Sequence, residues 1–235
     1  MWAIVPIKPF EFAKARLAPV LDPGQRRDLM RAMATDVLES LAATPGIERI
    51  IVVSREPEVT ALAAGVGASV LLEEEGCGLN AAVAQGAQMA MEAGTAGILI
   101  VHADLPLATS EAFSAVLEAH ADSPAVTVVA DAERQGSNCL ACSPPDIIAF
   151  LFGRGSCPAH VAAARTKGID AVVINSPTLS LDVDCPADLE TLLASTHGGR
   201  SVAFLRSSGI ASRLTLESVT TPAPVQASSP VGGNA

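Results

Sequence analysis

Gly97-Ile98-Leu99-Ile100-Val101-His102-Ala103-Asp104 runs through four large apolar residues without polar alternation and then delivers a carboxylate. A strand apolar at every position is covered on both faces. Ile98–His102 is therefore expected at the centre of a layered sheet, and its neighbours repeat the theme. Ala3–Ile7, Ile50–Ser54, Ser69–Leu72 and Ala125–Ala130 are further strands, with shorter ones at Asn138–Ala141 and Ala171–Ile174. Between them lie segments of helical period. Gln25 to Ala43 carries the stripe Leu29, Met33, Val37, Leu41, and Pro57–Ala64, Leu79–Ala93, Ser110 to His120, Pro145–Leu151, Cys157–Gly168 and Pro186–Ala194 follow. Strand and helix in alternation predict an α/β fold, a three-layer sandwich whose mostly parallel twisted sheet has helices on both faces. Ligands of such a sheet sit at the carboxyl ends of its strands.

Composition narrows the function. At 235 residues, 49% hydrophobic and 17% charged, the chain is globular and suits one main domain. We expect a domain over 1–195 and a weakly ordered extension over 196–235. From Thr215 onward Ser, Thr, Pro, Gly, Ala and Val dominate with one charge, Glu217, and the last 15 or so residues are expected to be disordered. Aromatic residues are only 3% with no tyrosine, which removes the stacking platform of a single-strand nucleic-acid binder. A net charge of −10 argues against a general polyanion partner, and no 18-residue apolar run or export signal is visible, so no membrane partner and a cytoplasmic location are expected. The five cysteines are read as reduced thiols, and Cys139-x-x-Cys142 lacks a second pair to complete a zinc site.

Five constellations carry chemistry. Pro6-Ile7-Lys8 and Lys14-Ala15-Arg16 follow the first strand, where residues 1–31 hold six basic against three acidic side chains in an otherwise acidic chain. Cations gathered there suit a triphosphate. Gly76-Cys77-Gly78-Leu79-Asn80 opens a helix, so backbone approaches a ligand and Asn80 is offered to a base or ribose. Asp104 ends the central strand, a position suited to a magnesium ligand or to capping a turn. Asp182-Val183-Asp184 projects two carboxylates the same way from extended chain, completing a metal site or, for Asp184, capping a helix. Gly136-Ser137-Asn138 and Gly153-Arg154-Gly155-Ser156 offer hydroxyls and free N–H groups, an anion pocket or ordinary glycine turns. No nucleophile with a matching base is recognisable.

Taken in order, Ile4-Val5-Pro6-Ile7-Lys8, Lys14-Ala15-Arg16-Leu17, Gly78-Leu79-Asn80, Asp104-Leu105-Pro106-Leu107, Gly136-Ser137-Asn138, Phe152-Gly153-x-Gly155-Ser156 and Leu181-Asp182-x-Asp184-x-Pro186 resemble the guanylyltransferases of coenzyme F420 biosynthesis, MobA-like nucleotidyltransferases. The resemblance spans about residues 2 to 194. Ser137 stands where the family usually has threonine, and Cys157 where an aromatic is usual. The resemblance implies transfer of GMP from GTP to 3-phospho-D-glycerate, phosphoenolpyruvate or 2-phospho-L-lactate, the opening leaning towards the first, with pyrophosphate released.

By the same resemblance Lys8, Lys14 and Arg16 hold the triphosphate, with Asp104 beside them in catalysis. Asp104 with Asp182 or Asp184 holds Mg2+. Pro6, Lys8, Gly78, Leu79 and Asn80 bind nucleotide, and Ser137, Asn138, Gly153 and Ser156 seat the acceptor. A homodimer and hand-over of product to the next pathway enzyme are further expectations. Two alternatives stay open: a MobA-like enzyme acting on a molybdenum cofactor or sugar phosphate, and a nucleotide-binding regulatory module without turnover.

Overall fold

The computed structural model describes residues 1–197, 199–211 and 213–214, apart from the side chain of Phe12. Seven strands, β1 (Trp2–Pro6), β2 (Arg49–Ser54), β3 (Ser69–Leu72), β4 (Ile98–Val101), β5 (Ala125–Ala130), β6 (Ser137–Ser143) and β7 (Val172–Ile174), form one sheet in the order β3-β2-β1-β4-β6-β5-β7. All neighbours pair parallel except β6, which lies antiparallel between β4 and β5. The helices are α1 (Pro23–Ala42), α2 (Pro57–Gly65), α3 (Leu79–Glu92), α4 (Ser110–Ala119), α5 (Ser156–Thr166), α6 (Pro186–Ala194) and α7 (Arg200–Ser207).

Strand periodicity builds the two cores. Ala3, Val5, Leu99 and Val101 face the side covered by α1, α2, α4, α6 and α7, while Ile4, Ile98 and Ile100 face α3 and α5. The three-layer sandwich is therefore present. The lack of a side chain at Gly86 lets α3 lie close on the sheet: a Cβ there would stand 2.7 Å from Ile4 Cγ2 and 3.2 Å from Val53 Cγ2. At the other core, α1 begins on a reciprocal cap, with Gln25 N–H donating to Asp22 Oδ1 and Pro23 opening the helix. The chain order reverses between β1 and β4, so the crevice of the fold opens where Pro6 and Val101 end.

Three sequence expectations change. Pro145–Leu151 is not helical. The Leu151 and Phe152 N–H groups that would bond along a helix donate instead to His160 Nε2 and Asn80 Oδ1. The strand expected at Asn138–Ala141 is longer and runs over Ser137–Ser143. The extension expected to be weakly ordered from Gly198 contains α7, whose Val202 and Leu205, with Ile210 and Leu214 beyond it, are buried in the α1-side core. Asp36 fixes its start, accepting from the N–H groups of Arg200 (2.7 Å) and Ser201 (2.9 Å). Burying each such side chain contributes about 1.5–3 kcal/mol, which residue composition alone does not reveal. The expectation of disorder over the last 15 residues lies outside the described residues. Among the described residues no helix is long and apolar enough to cross a membrane.

Candidate active site

The segment after β1 is pinned by its apolar residues. Phe10 and Leu17 are fully buried, and Phe10 N–H donates to Glu56 Oε2 at 2.9 Å. Between these anchors two short 3-10 turns, Phe10–Phe12 and Ala15–Leu17, meet at Lys14, which is held left-handed at φ 55°. That backbone costs a non-glycine residue about 1–2 kcal/mol. It aims Lys14 at the carboxyl end of β4.

There Lys14 Nζ donates to Asp104 Oδ2 (2.5 Å) and Asp184 Oδ1 (2.9 Å). Burial works against the ammonium charge, but the two carboxylates outweigh it and push the Lys14 pKa up. Burial would likewise raise Asp104, and the Lys14 charge reverses this, so Asp104 titrates below the usual carboxylate range. The other Asp104 oxygen, Oδ1, is buried with no hydrogen-bond partner among the described residues, as is His102 Nε2. Asp182 differs. Burial and the nearby Asp104 charge push its pKa up to about 6. Asp184 does not cap α6: Cys185 is the N-cap residue, and Asp188 Oδ2 accepts from the Asp184 and Cys185 N–H groups. The Asp184 carboxylate is thereby left to Lys14 and, at 3.8 Å, to Arg16.

These groups line a cavity of about 350 Å3 that gathers Pro6, Lys8, Lys14, Leu79, His102 and Asp104 with Asp182 and Asp184. Gly78 is the N-cap of α3 beside it. Lys8 is exposed and makes no ion pair among the described residues, and Arg16 is largely exposed. Cavities of about 440 and 530 Å3 open elsewhere against α1, but neither contains Lys14, Asp104 or Asp184, so chemistry and not size identifies the site. Among the described residues no group of three or more His, Cys, Asp or Glu is arranged to hold a metal ion. The unpartnered Asp104 Oδ1 nevertheless offers an oxygen to a cation that takes its remaining ligands from phosphate and water.

The second group of expected residues is organised otherwise. Ser137, Asn138 and Ser156 are buried and spend their side chains internally. Ser156 Oγ accepts from Ser137 N–H (2.8 Å), Asn138 Nδ2 donates to the Leu179 carbonyl (2.9 Å), and Ser137 Oγ meets His160 Nδ1 (2.9 Å). His160 Nε2 accepts from Leu151 N–H, which leaves Nδ1 to carry the proton and donate to Ser137. Burial, with His102 nearby, lowers the His160 pKa to about 4, so the ring is neutral. By contrast the main-chain N–H groups of Gly153, Arg154 and Gly155 have no partner among the described residues. Gly153 at φ +134° and Gly155 at φ +73° shape this turn before α5, conformations that favour glycine.

The hydroxyls and amide expected at an acceptor are thus engaged internally, while the turn's main-chain N–H groups and the exposed Arg154 side chain have no partner among the described residues. The Asn80 amide, expected at a base or ribose, is joined to the Phe152 main chain. His160, which joins Ser137 to the Leu151 main chain, has no place in the sequence reading. The only signal was the four-residue spacing of Ser156 and His160, one helix face. Cys139 and Cys142 lie in opposite cores, as strand period demands of an odd spacing, and burial pushes both thiols up.

The family model for guanylyl transferases of the CofC-like type matches residues 1–221. The phosphoenolpyruvate guanylyltransferase of Rubrobacter xylanophilus is 38% identical over 83% of this chain and 94% of its own. The 2-phospho-L-lactate guanylyltransferase of Methanothermobacter thermautotrophicus is 33% identical over 87% of this chain and 89% of its own. A nucleotidyl transferase structure from the same organism superposes with a TM-score of 0.59 at 19% identity, over 88% of this chain and 98% of that one, which supports the fold.

Proposed function

The chain belongs to the CofC-like guanylyl transferase family, a family of nucleotidyltransferases, and from that premise we propose that it transfers GMP from GTP to a phosphorylated three-carbon acid in coenzyme F420 biosynthesis. An acceptor phosphate oxygen forms a bond to the α-phosphorus of GTP while the bond to the bridging oxygen breaks, and pyrophosphate leaves with the electron pair. The attacking phosphate is already ionised at neutral pH, so no general base is needed. The protein's task is to hold two anions that repel one another and to offset the charge that develops.

One observation carries this reading: Lys14 clamped between Asp104 and Asp184, with the second Asp104 oxygen buried and unpartnered beside the cavity. A buried polar atom without a partner is costly, and a bound cation or ligand relieves it. Asp104, with Asp184 or Asp182, would hold Mg2+, which when bound supplies charge neutralisation across the phosphates. Lys8, Lys14 and Arg16 then face the triphosphate. Pro6, Gly78 and Leu79 border the nucleoside. The free N–H groups of Gly153, Arg154 and Gly155 take the acceptor's anionic end, supported from behind by Ser137 and Ser156, with Asn138 tied to the Leu179 carbonyl.

Among the three acids the Rubrobacter relative's name favours phosphoenolpyruvate over the 3-phospho-D-glycerate suggested by the opening residues. The test is pyrophosphate release from GTP and magnesium with each acid, run with the enzyme that consumes the product to trap unstable intermediates. Release with one acid at least tenfold faster than with the others is expected. Equal release with a sugar phosphate or a molybdenum cofactor, or none with any acid, would overturn the reading.

A further inference from the structure

We propose that Asn80 is a positioning residue for the acceptor turn, coupling the helix beside the nucleotide to the segment Phe152–Ser156, and that it does not read the base. The inference rests on the functional reading above. Asn80 is the second residue of α3, next to the cavity-lining Leu79. Its Nδ2 donates to the Phe152 carbonyl at 3.1 Å and its Oδ1 accepts from the Phe152 N–H at 2.8 Å, across 72 residues of chain. An asparagine has a single edge on which carbonyl and N–H lie side by side, and pairing with a base would use that edge. Here the main chain of Phe152 already occupies it.

What Asn80 holds matters for the turn. Immediately after Phe152 come Gly153, Arg154 and Gly155, whose N–H groups are free. Glycine backbone is intrinsically permissive, so a turn with two glycines keeps one shape only if its ends are fixed. The far end is fixed by Ser156, which donates its N–H to the Gly153 carbonyl (3.1 Å) and accepts from Ser137. The near end is fixed by Asn80 from one element and by ring contacts from two others. The Phe152 ring lies 5.3 Å from His102, at the end of β4, and 4.9 Å edge-on from His160 of α5. The ring contacts fix where Phe152 sits. The two main-chain bonds from Asn80 fix how its peptide is turned, and hence where the next three N–H groups point.

The experiment is steady-state kinetics for GTP and for the preferred acid with wild type, Asn80→Ala and the near-isosteric Asn80→Asp, with thermal unfolding of each. Asn80→Ala should raise the acid's KM at least tenfold while the KM of GTP stays within threefold and guanine remains preferred over adenine. Asn80→Asp keeps an acceptor for the Phe152 N–H but loses the donor, so it should also raise the acid's KM and leave GTP alone. It keeps the comparison usable if the alanine variant fails to fold. A base-reading asparagine predicts the reverse: a raised GTP KM, relaxed guanine preference and an unmoved acid KM. That result, or no change in either substrate's KM with active wild type, overturns the inference alone. Wild type inactive with all three acids overturns the functional reading and the inference with it.

Discussion

The charged cavity and the turn linked to it by the His102–Phe152 ring contact form two sides built from opposite materials. On one side Lys14, Asp104, Asp182 and Asp184 crowd charge together, with a strained left-handed lysine, one carboxyl oxygen unpartnered and one aspartate titrating near 6. On the other side Asn80, Ser137, Asn138, Ser156 and the neutral His160 have their side-chain hydrogen bonds made internally, and the turn's main-chain N–H groups and the exposed Arg154 side chain are left without partners among the described residues. The difference teaches where binding capacity resides. In the proposed function the charged side would act directly through its side chains. The neutral side would act there through a backbone that its side chains hold in shape, so each partnered group would serve stability as well as recognition.

That contrast assigns each variant a different principal loss. Asp104→Asn should produce the largest effect, a fall in turnover of about a hundredfold or more, comparable to removing a preorganised charge-stabilising group. Its unfolding midpoint should stay near wild type, because Lys14 keeps Asp184. Turnover within threefold of wild type at saturating magnesium would erase the distinction between the two sides. Ser156→Ala should instead lose stability, about 1–3 kcal/mol for a Ser137 N–H left buried and unpaired, or roughly 2–4 °C per kcal/mol at this chain size. The acid's KM should rise as a consequence and that of GTP should not. An unchanged midpoint with a tenfold rise in the acid's KM would return the Ser156 hydroxyl to direct contact with the acceptor.

Acidification separates the sides by sign. The His160 pKa is depressed to about 4 in the fold, whereas an unfolded histidine titrates near 6.5. Between those values the unfolded chain binds more protons, so this contribution is present above about 6.5 and is lost as pH falls towards 4. Asp182 runs the other way, its folded pKa of about 6 lying above the unfolded value. Its contribution is full below about 4 and disappears as pH rises through 6. Asp182→Asn should therefore stabilise the protein without bound nucleotide above pH 6, by no more than about 1 kcal/mol once solvent screening of a half-buried group is allowed for. This is the smallest of the effects. Unfolding midpoints of wild type, His160→Gln and Asp182→Asn from pH 4 to 8 measure both. A His160→Gln variant whose midpoint falls with acid as steeply as that of wild type would remove His160 from this account.

Much of the charged side was legible before any coordinates. Lys14 lies in the loop after β1, Asp104 soon after β4 and Asp184 before the helix-opening Pro186, and a parallel sheet collects such positions at one edge. The lysine's clamp between two carboxylates was not legible, because residues 90 and 170 apart meet only through the folded sheet. Fewer signals existed on the neutral side. Small residues at 136–138 and 153–156 marked a turn, but composition cannot say whether a serine or asparagine faces a ligand or its own backbone. The failed helix at 145–151 has the same origin: its N–H groups found partners in Asn80 and His160, far away in sequence or on another element.

The sequence by itself determined the layers, the parallel run of strands and the residues that crowd the strand ends, because apolar period and strand-end charge are local properties of the chain. Only the tertiary structure decided which polar atoms are spent and which are free: Asp104 Oδ1 left open, Asn80 closed on Phe152, three turn N–H groups unpaired, and a C-terminal helix packed where composition promised loose chain. Hydrogen-bond partners and burial are set by contacts between residues distant in sequence, and each polar group, once desolvated, takes whichever partner the fold brings within about 3 Å.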